Sequence, residues 1–105
     1  MKLLASLTNL NALSLANNQI RDVEPLAGLT KLMNLFLYNN QIRDVKPLAG
    51  LNKLFMLDLS QNQISDLKPL TGLTKLTYLR LDTNPIAEKV CPVKPESICK
   101  FAPLF

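Results

Sequence analysis

Few residues in this chain could carry out chemistry. Histidine is absent, so the commonest general base and metal ligand is missing. The two cysteines, Cys91 and Cys99, have seven residues between them. A structural zinc needs four ligands, of which they supply two, and a redox pair is spaced C-x-x-C. They make either a disulfide closing a short loop or two buried thiols. A bridge would contribute about 2–3 kcal/mol by the loop-entropy estimate and would favour an oxidising compartment. Asp58 and Asp82 fall beside Arg80 in the periodic pattern described next. That arrangement reads as a surface ion network worth under about 1 kcal/mol, not as an acid–base pair, because nothing near it points to a pocket or a shifted pKa. No phosphate-binding loop, nucleophile elbow or metal-ligand spacing occurs. The expectation is a chain with no enzymatic activity, no metal and no cofactor.

The polar residue with a regular place is asparagine. Asn18, Asn40, Asn62 and Asn84 lie 22 residues apart, each two residues before an isoleucine. Each follows the same leucines: Leu10, Leu13 and Leu15 in the first unit, then Leu32, Leu35 and Leu37, and so on to Leu81. The pattern is L-x-x-L-x-L-x-x-N-x-I, and a fixed period of this length decides architecture before local propensity does. Alternating apolar and polar residues around Leu13, Leu35, Leu57 and Leu79 predict four short strands, stacked in parallel, one per coil. An asparagine amide carries two donors and an acceptor. At the strand exit it can bond backbone groups of its own and the neighbouring coil, so the four form a structural ladder.

The return path shows a spacing of three: Val23, Leu26 and Leu29, then Val45, Leu48 and Leu51, then Leu67, Leu70 and Leu73. This suits 3₁₀ or short helical turns. Pro25, Pro47 and Pro69 fix the backbone at their starts, and Asp22, Asp44 and Asp66 are placed to cap free N–H groups. Gly28, Gly50 and Gly72 are expected to turn the chain tightly back.

Residues 3–86 resemble the leucine-rich repeat superfamily in its 22-residue class, which includes bacterial internalins and a phosphatase-regulating nuclear protein. The run N-x-I-x-D-[VL]-x-P-L-x-G-L-x-K-L at residues 18–32, 40–54 and 62–76 carries the likeness. It implies an α/β repeat fold: a right-handed solenoid with four parallel strands on the concave face and 3₁₀ or short helical turns on the convex face. It also implies protein binding through the concave face. One domain is expected over residues 1–105, with a partial repeat at 1–9, repeats at 10–86 and a C-terminal cap at 87–105. Residues 85–101 resemble the capping segment of bacterial, especially cyanobacterial, leucine-rich repeat proteins. Solenoids need atypical terminal units, and Ile86, Val90, Val93, Ile98, Phe101 and Leu104 are the expected covering residues.

The front end differs. By phase Met1 falls at the position of Val23, so the chain starts within a return segment. The first coil, with Leu4, Leu7, Leu10, Ala12 and Ser14, then has an open side and an unpaired strand edge. Either the chain is a truncated or engineered piece of a longer array, which the near-identity of residues 17–32 and 39–54 fits, or a second copy covers that side. A two-fold homodimer through the N-terminal coil is expected, since two-fold pairing closes an assembly.

Outward strand positions make three columns: Ala12, Asn34, Met56, Tyr78; Ser14, Phe36, Asp58, Arg80; and Ala16, Tyr38, Ser60, Asp82. Asn34, Phe36, Tyr38, Met56, Asp58, Tyr78, Arg80 and Asp82 are the candidate partner-binding set, because aromatics and arginine are enriched in hot spots. Lysine rows at Lys31, Lys53 and Lys75 and at Lys46 and Lys68 read as a solvated face. A net charge of +4 with only six aromatics does not describe a nucleic-acid surface. No apolar run reaches the 18 residues of a membrane span, and the first residues do not make a signal peptide, since Asn9 and Asn11 interrupt the apolar stretch. The compartment and the protein partner are not legible.

Overall fold

A computed structural model describes residues 2–87 and 89–102. The leucine ladder builds one parallel sheet, in the order β1 (Ala12–Ser14), β2 (Asn34–Phe36), β3 (Met56–Asp58), β4 (Tyr78–Arg80) and β5 (Cys99–Lys100). The register is set by the repeat: Leu13 pairs with Leu35, Leu35 with Leu57 and Leu57 with Leu79. One strand leucine per coil therefore stacks on the next, and the strand centres are fully buried from Leu35 onward.

The sheet has five strands where the 22-residue pattern predicts four. The extra strand follows the disulfide loop: Cys99 pairs with Leu79 and Lys100 with Arg80. The Lys100 carbonyl accepts the N–H of Leu81 at 2.7 Å. It therefore satisfies part of the outer edge that β4 would otherwise leave open. Two residues are too few to show alternation, so periodicity could not reveal it.

Return segments form 3₁₀ turns at Lys2–Ser6, Glu24–Leu26, Lys46–Leu48, Lys68–Leu70 and Glu96–Ile98. Each of the three central turns is opened by an aspartate. Oδ1 of Asp22, Asp44 and Asp66 accepts the backbone N–H two residues on, at 2.9, 2.9 and 3.0 Å.

The glycines lie in the turns expected of them, but without left-handed backbone. None has positive φ, and a Cβ built on Gly28, Gly50 or Gly72 would meet nothing within 4 Å. The left-handed backbone lies instead at the strand exits, at Asn17, Asn39, Gln61 and Thr83, with φ of 55–59°. Asparagine tolerates this conformation, whereas a β-branched threonine is unusual there.

The core is a single column of side chains from Val23 to Ile98. Ile86, Val93 and Ile98 of the C-terminal segment are buried within it, and Phe101 packs against it partly buried. Val90 departs from the expectation: at 65% exposure it stays largely in solvent and lies outside the core. Leu104 and Met1 lie outside the described residues. At the other end Leu4, Leu10, Leu13, Leu15 and Ile20 are half-buried, and Leu7 is 46% exposed. No helix among the described residues is long and apolar enough to cross a membrane.

Candidate functional site: the concave face

Each of β1 to β4 is three residues long with a leucine at its centre pointing into the core, so the residues on either side of that leucine face outward. Register brings the outward columns together as the repeat demands: Ala12, Asn34, Met56 and Tyr78 in one row, and Ser14, Phe36, Asp58 and Arg80 in the next. Lys100 of β5 extends the second row beyond Arg80.

The face is divided along its length. Phe36, Tyr38, Met56 and Tyr78 are half-buried, which leaves each with surface to offer. Ala12 and Ser14 at the N-terminal edge are exposed. Asp58, Ser60 and Asp82, however, are buried, although they occupy outward positions. Asp58 stands between the longer Phe36 and Arg80 in its row, and both carboxylates find their partners inside the face. Asp58 Oδ1 accepts from the Ser60 N–H at 3.0 Å and from its hydroxyl at 2.7 Å. Asp82 accepts from Arg80 Nε at 2.6 Å and Nη2 at 3.3 Å. The hydrogen bond from Arg80 to Asp82 raises the guanidinium above its usual pKa, against a smaller opposing effect of burial. Both carboxylates are thus bonded within the face. Asn34 Oδ1 differs: it is buried on this face without a hydrogen-bond partner.

Two large apolar residues that periodicity did not single out join the face at its rim. Met33 and Phe55 are 45% and 44% exposed, one residue ahead of β2 and β3. Their shared phase with Asn11 and Thr77 was the available signal. The backbone explains their position: the Met33 carbonyl accepts from Phe55 and Met56, and the Phe55 carbonyl from Thr77 and Tyr78. The main chain is thereby fixed and the side chain left outside.

Beneath the face, the asparagines tie coil to coil. Asn62 Oδ1 accepts the Ile42 N–H at 3.1 Å, and its Nδ2 donates to the carbonyls of Leu37, Leu59 and Ser60 at 3.0–3.1 Å. Asn40 makes the matching set with Ile20, Leu15, Leu37 and Tyr38. Asn84 makes it with Ile64, Leu59, Leu81 and Asp82. Asn18 reaches only Leu15 and Ala16, within its own coil, and is exposed. Beyond β4, Cys91 and Cys99 are joined by a disulfide with Cα atoms 5.7 Å apart.

Comparison with known proteins agrees with this geometry. Residues 8–50 and 52–94 each match the family described as leucine rich repeats (2 copies). Among solved structures, internalin C2 of Listeria monocytogenes is 42% identical with a TM-score of 0.88, over 98% of this chain and 45% of that one. An internalin (inlF) of the same species is 35% identical, with a TM-score of 0.87 over 96% and 31%. A leucine-rich-repeat protein of Leptospira interrogans is 28% identical, with a TM-score of 0.79 over 94% and 27%. The chain thus spans less than half the length of each of these structures. No curated protein matched. The fold commonly mediates protein–protein interaction, and its members are typically interaction modules and not enzymes. On its two matched segments and the asparagine-bonded coils, the chain belongs to the leucine-rich repeat family.

Proposed function

We propose that this chain is a non-enzymatic module that binds another protein through its concave face. The observation that carries the reading is the band of Phe36, Tyr38, Met56 and Tyr78, half-buried on a rigid sheet and extended at the rim by exposed Met33 and Phe55. Aromatic groups held by a fixed backbone lose little entropy on binding and are enriched in hot spots, and a contiguous apolar patch of this kind usually has a use. The likeness to Listeria and Leptospira proteins supports a bacterial source, and the disulfide supports an oxidising compartment. The scattered lysines and scarce aromatics speak against nucleic acid.

The test is an unbiased peptide-display selection against the whole chain, with the winners re-measured on Phe36→Glu, Tyr38→Glu and Tyr78→Glu variants. Winners that lose affinity at least about tenfold on these variants support the concave face. Winners indifferent to all three would remove it.

A second reading, homodimerisation through the first coil, is favoured by one observation. Exposure of the leucines rises toward the N-terminal end, from fully buried Leu29 to Leu7 at 46%. Leu4, Leu7, Leu10, Ala12 and Ser14 would form the contact. Sedimentation equilibrium decides it. A dimer that Leu7→Lys dissociates supports the contact, and a monomer at high protein concentration ends it.

A further inference from the structure

On the flank where the chain leaves the strands, two arginines stand in register, one coil apart. Arg21 Nε donates to Gln41 Oε1 at 2.9 Å, and Arg43 Nε donates to Gln63 Oε1 at 3.0 Å. Each glutamine belongs to the following coil, and its backbone N–H is held by the carbonyl of Ile20 or Ile42 at 2.9 Å. Each guanidinium is therefore bonded to a side chain whose own backbone is tied to the preceding coil. A cleft of about 360 Å³ opens here, lined by Arg21, Gln41, Arg43, Asp44 and Gln63.

Among the described residues the one ion pair is Arg80–Asp82, so neither Arg21 nor Arg43 is ion-paired, although the Asp44 carboxylate lines the same cleft. The nearest acids in sequence are engaged elsewhere, with Oδ1 of Asp22 and Asp44 accepting the N–H groups of Glu24 and Lys46. Two unpaired cations in adjacent coils repel, and an anion between them converts that repulsion into attraction. A guanidinium whose Nε is occupied still offers its terminal amino groups, with the geometry that suits oxoanions.

We propose that Arg21 and Arg43 form a site for phosphate, as the free ion or as a monoester, distinct from the concave face. The glutamines act as positioning residues that hold the two guanidinium planes. Asp44 at the rim opposes the anion, which limits the affinity to about the millimolar range.

The experiment is a low-salt NMR titration of the whole chain with inorganic phosphate and, separately, with methyl phosphate, following the arginine Nε–H signals. Saturable shifts of Arg21 and Arg43 together, with Arg80 unmoved, are expected. Arg21→Gln and Arg43→Gln should each weaken binding about tenfold or more, with the Asn40 and Asn62 amide signals unchanged as evidence of an intact fold. Response to both ligands identifies the phosphoryl group of a larger molecule as the occupant class. Response to inorganic phosphate alone identifies the free ion. The proposal falls if no saturation occurs by about 50 mM, well beyond the expected range, or if the double variant responds as the native chain does.

Discussion

Asn62 and Asn18 have the same residue type and the same phase but not the same number of bonds. Asn62 makes four side-chain hydrogen bonds across two coils, and Asn18 makes two within one. Asn62→Leu orphans buried backbone groups and should cost about 1–3 kcal/mol. Asn18→Leu leaves exposed groups that water can satisfy and should cost clearly less. Urea melts of the two variants measure the difference, and equal losses would refute the ladder as the cause. The backbone supplies a second pair of contrasts. Gly50 has an ordinary φ and open space at its Cβ position, so Gly50→Ala should stabilise by about 0.4–1 kcal/mol through the unfolded chain. Thr83 carries a φ of 59°, a conformation costing roughly 1–2 kcal/mol for residues with a Cβ. Thr83→Gly should therefore recover part of that cost despite glycine's greater unfolded-state freedom. Thermal melts check both signs.

At the scale of elements, the C-terminal segment is the least repetitive part and the one most dependent on a covalent tie. Its 3₁₀ turn and β5 place Ile98 in the core and a strand on the edge of β4. Cys91–Cys99 closes a short loop around this region. Reduction, or the double change Cys91→Ser and Cys99→Ser, should lower stability by about 2–3 kcal/mol on the loop-entropy estimate. The Leu81 N–H, bonded to the Lys100 carbonyl, should then exchange faster, while Leu37 and Leu59 are little changed. Uniform loss of protection across all strands would mean that the segment does not open by itself.

In the whole molecule each coil touches mainly its neighbours, so stability varies with position along the stack. The first coil has a neighbour on one side, with Leu10, Leu13 and Leu15 half-buried, and the middle coils are enclosed at Leu35, Leu57 and their flanking leucines. Hydrogen exchange should rank the Leu15 N–H, bonded to Phe36 at 2.9 Å, as faster than the Leu59 N–H, bonded to Arg80 at 2.9 Å, since opening starts from the exposed end. A reversed order would show that the first coil is covered in solution, which the sedimentation experiment would then find as a dimer.

The sequence by itself determined the repeat, the parallel register and the identity of nearly every core residue. It could do so because a period of 22 fixes which side chains stack, whatever the local propensities. It also marked Asp22, Asp44 and Asp66 as turn openers, because the bond they make is two residues long. Only the tertiary structure decided what depends on neighbours across coils. Asp58 became buried because the longer Phe36 and Arg80 flank it in the sheet, and Asp82 became internally bonded because Arg80 folds onto it. Val90 stayed in water and Cys99–Lys100 became a strand because the path of the last segment, not its composition, set their surroundings. The glycines turn the chain with ordinary backbone angles, and the left-handed positions fell to Asn17, Asn39, Gln61 and Thr83 at the strand exits. Met33 and Phe55 acquired their exposure because the backbone bonds beside them hold the main chain in place and leave the side chains outside.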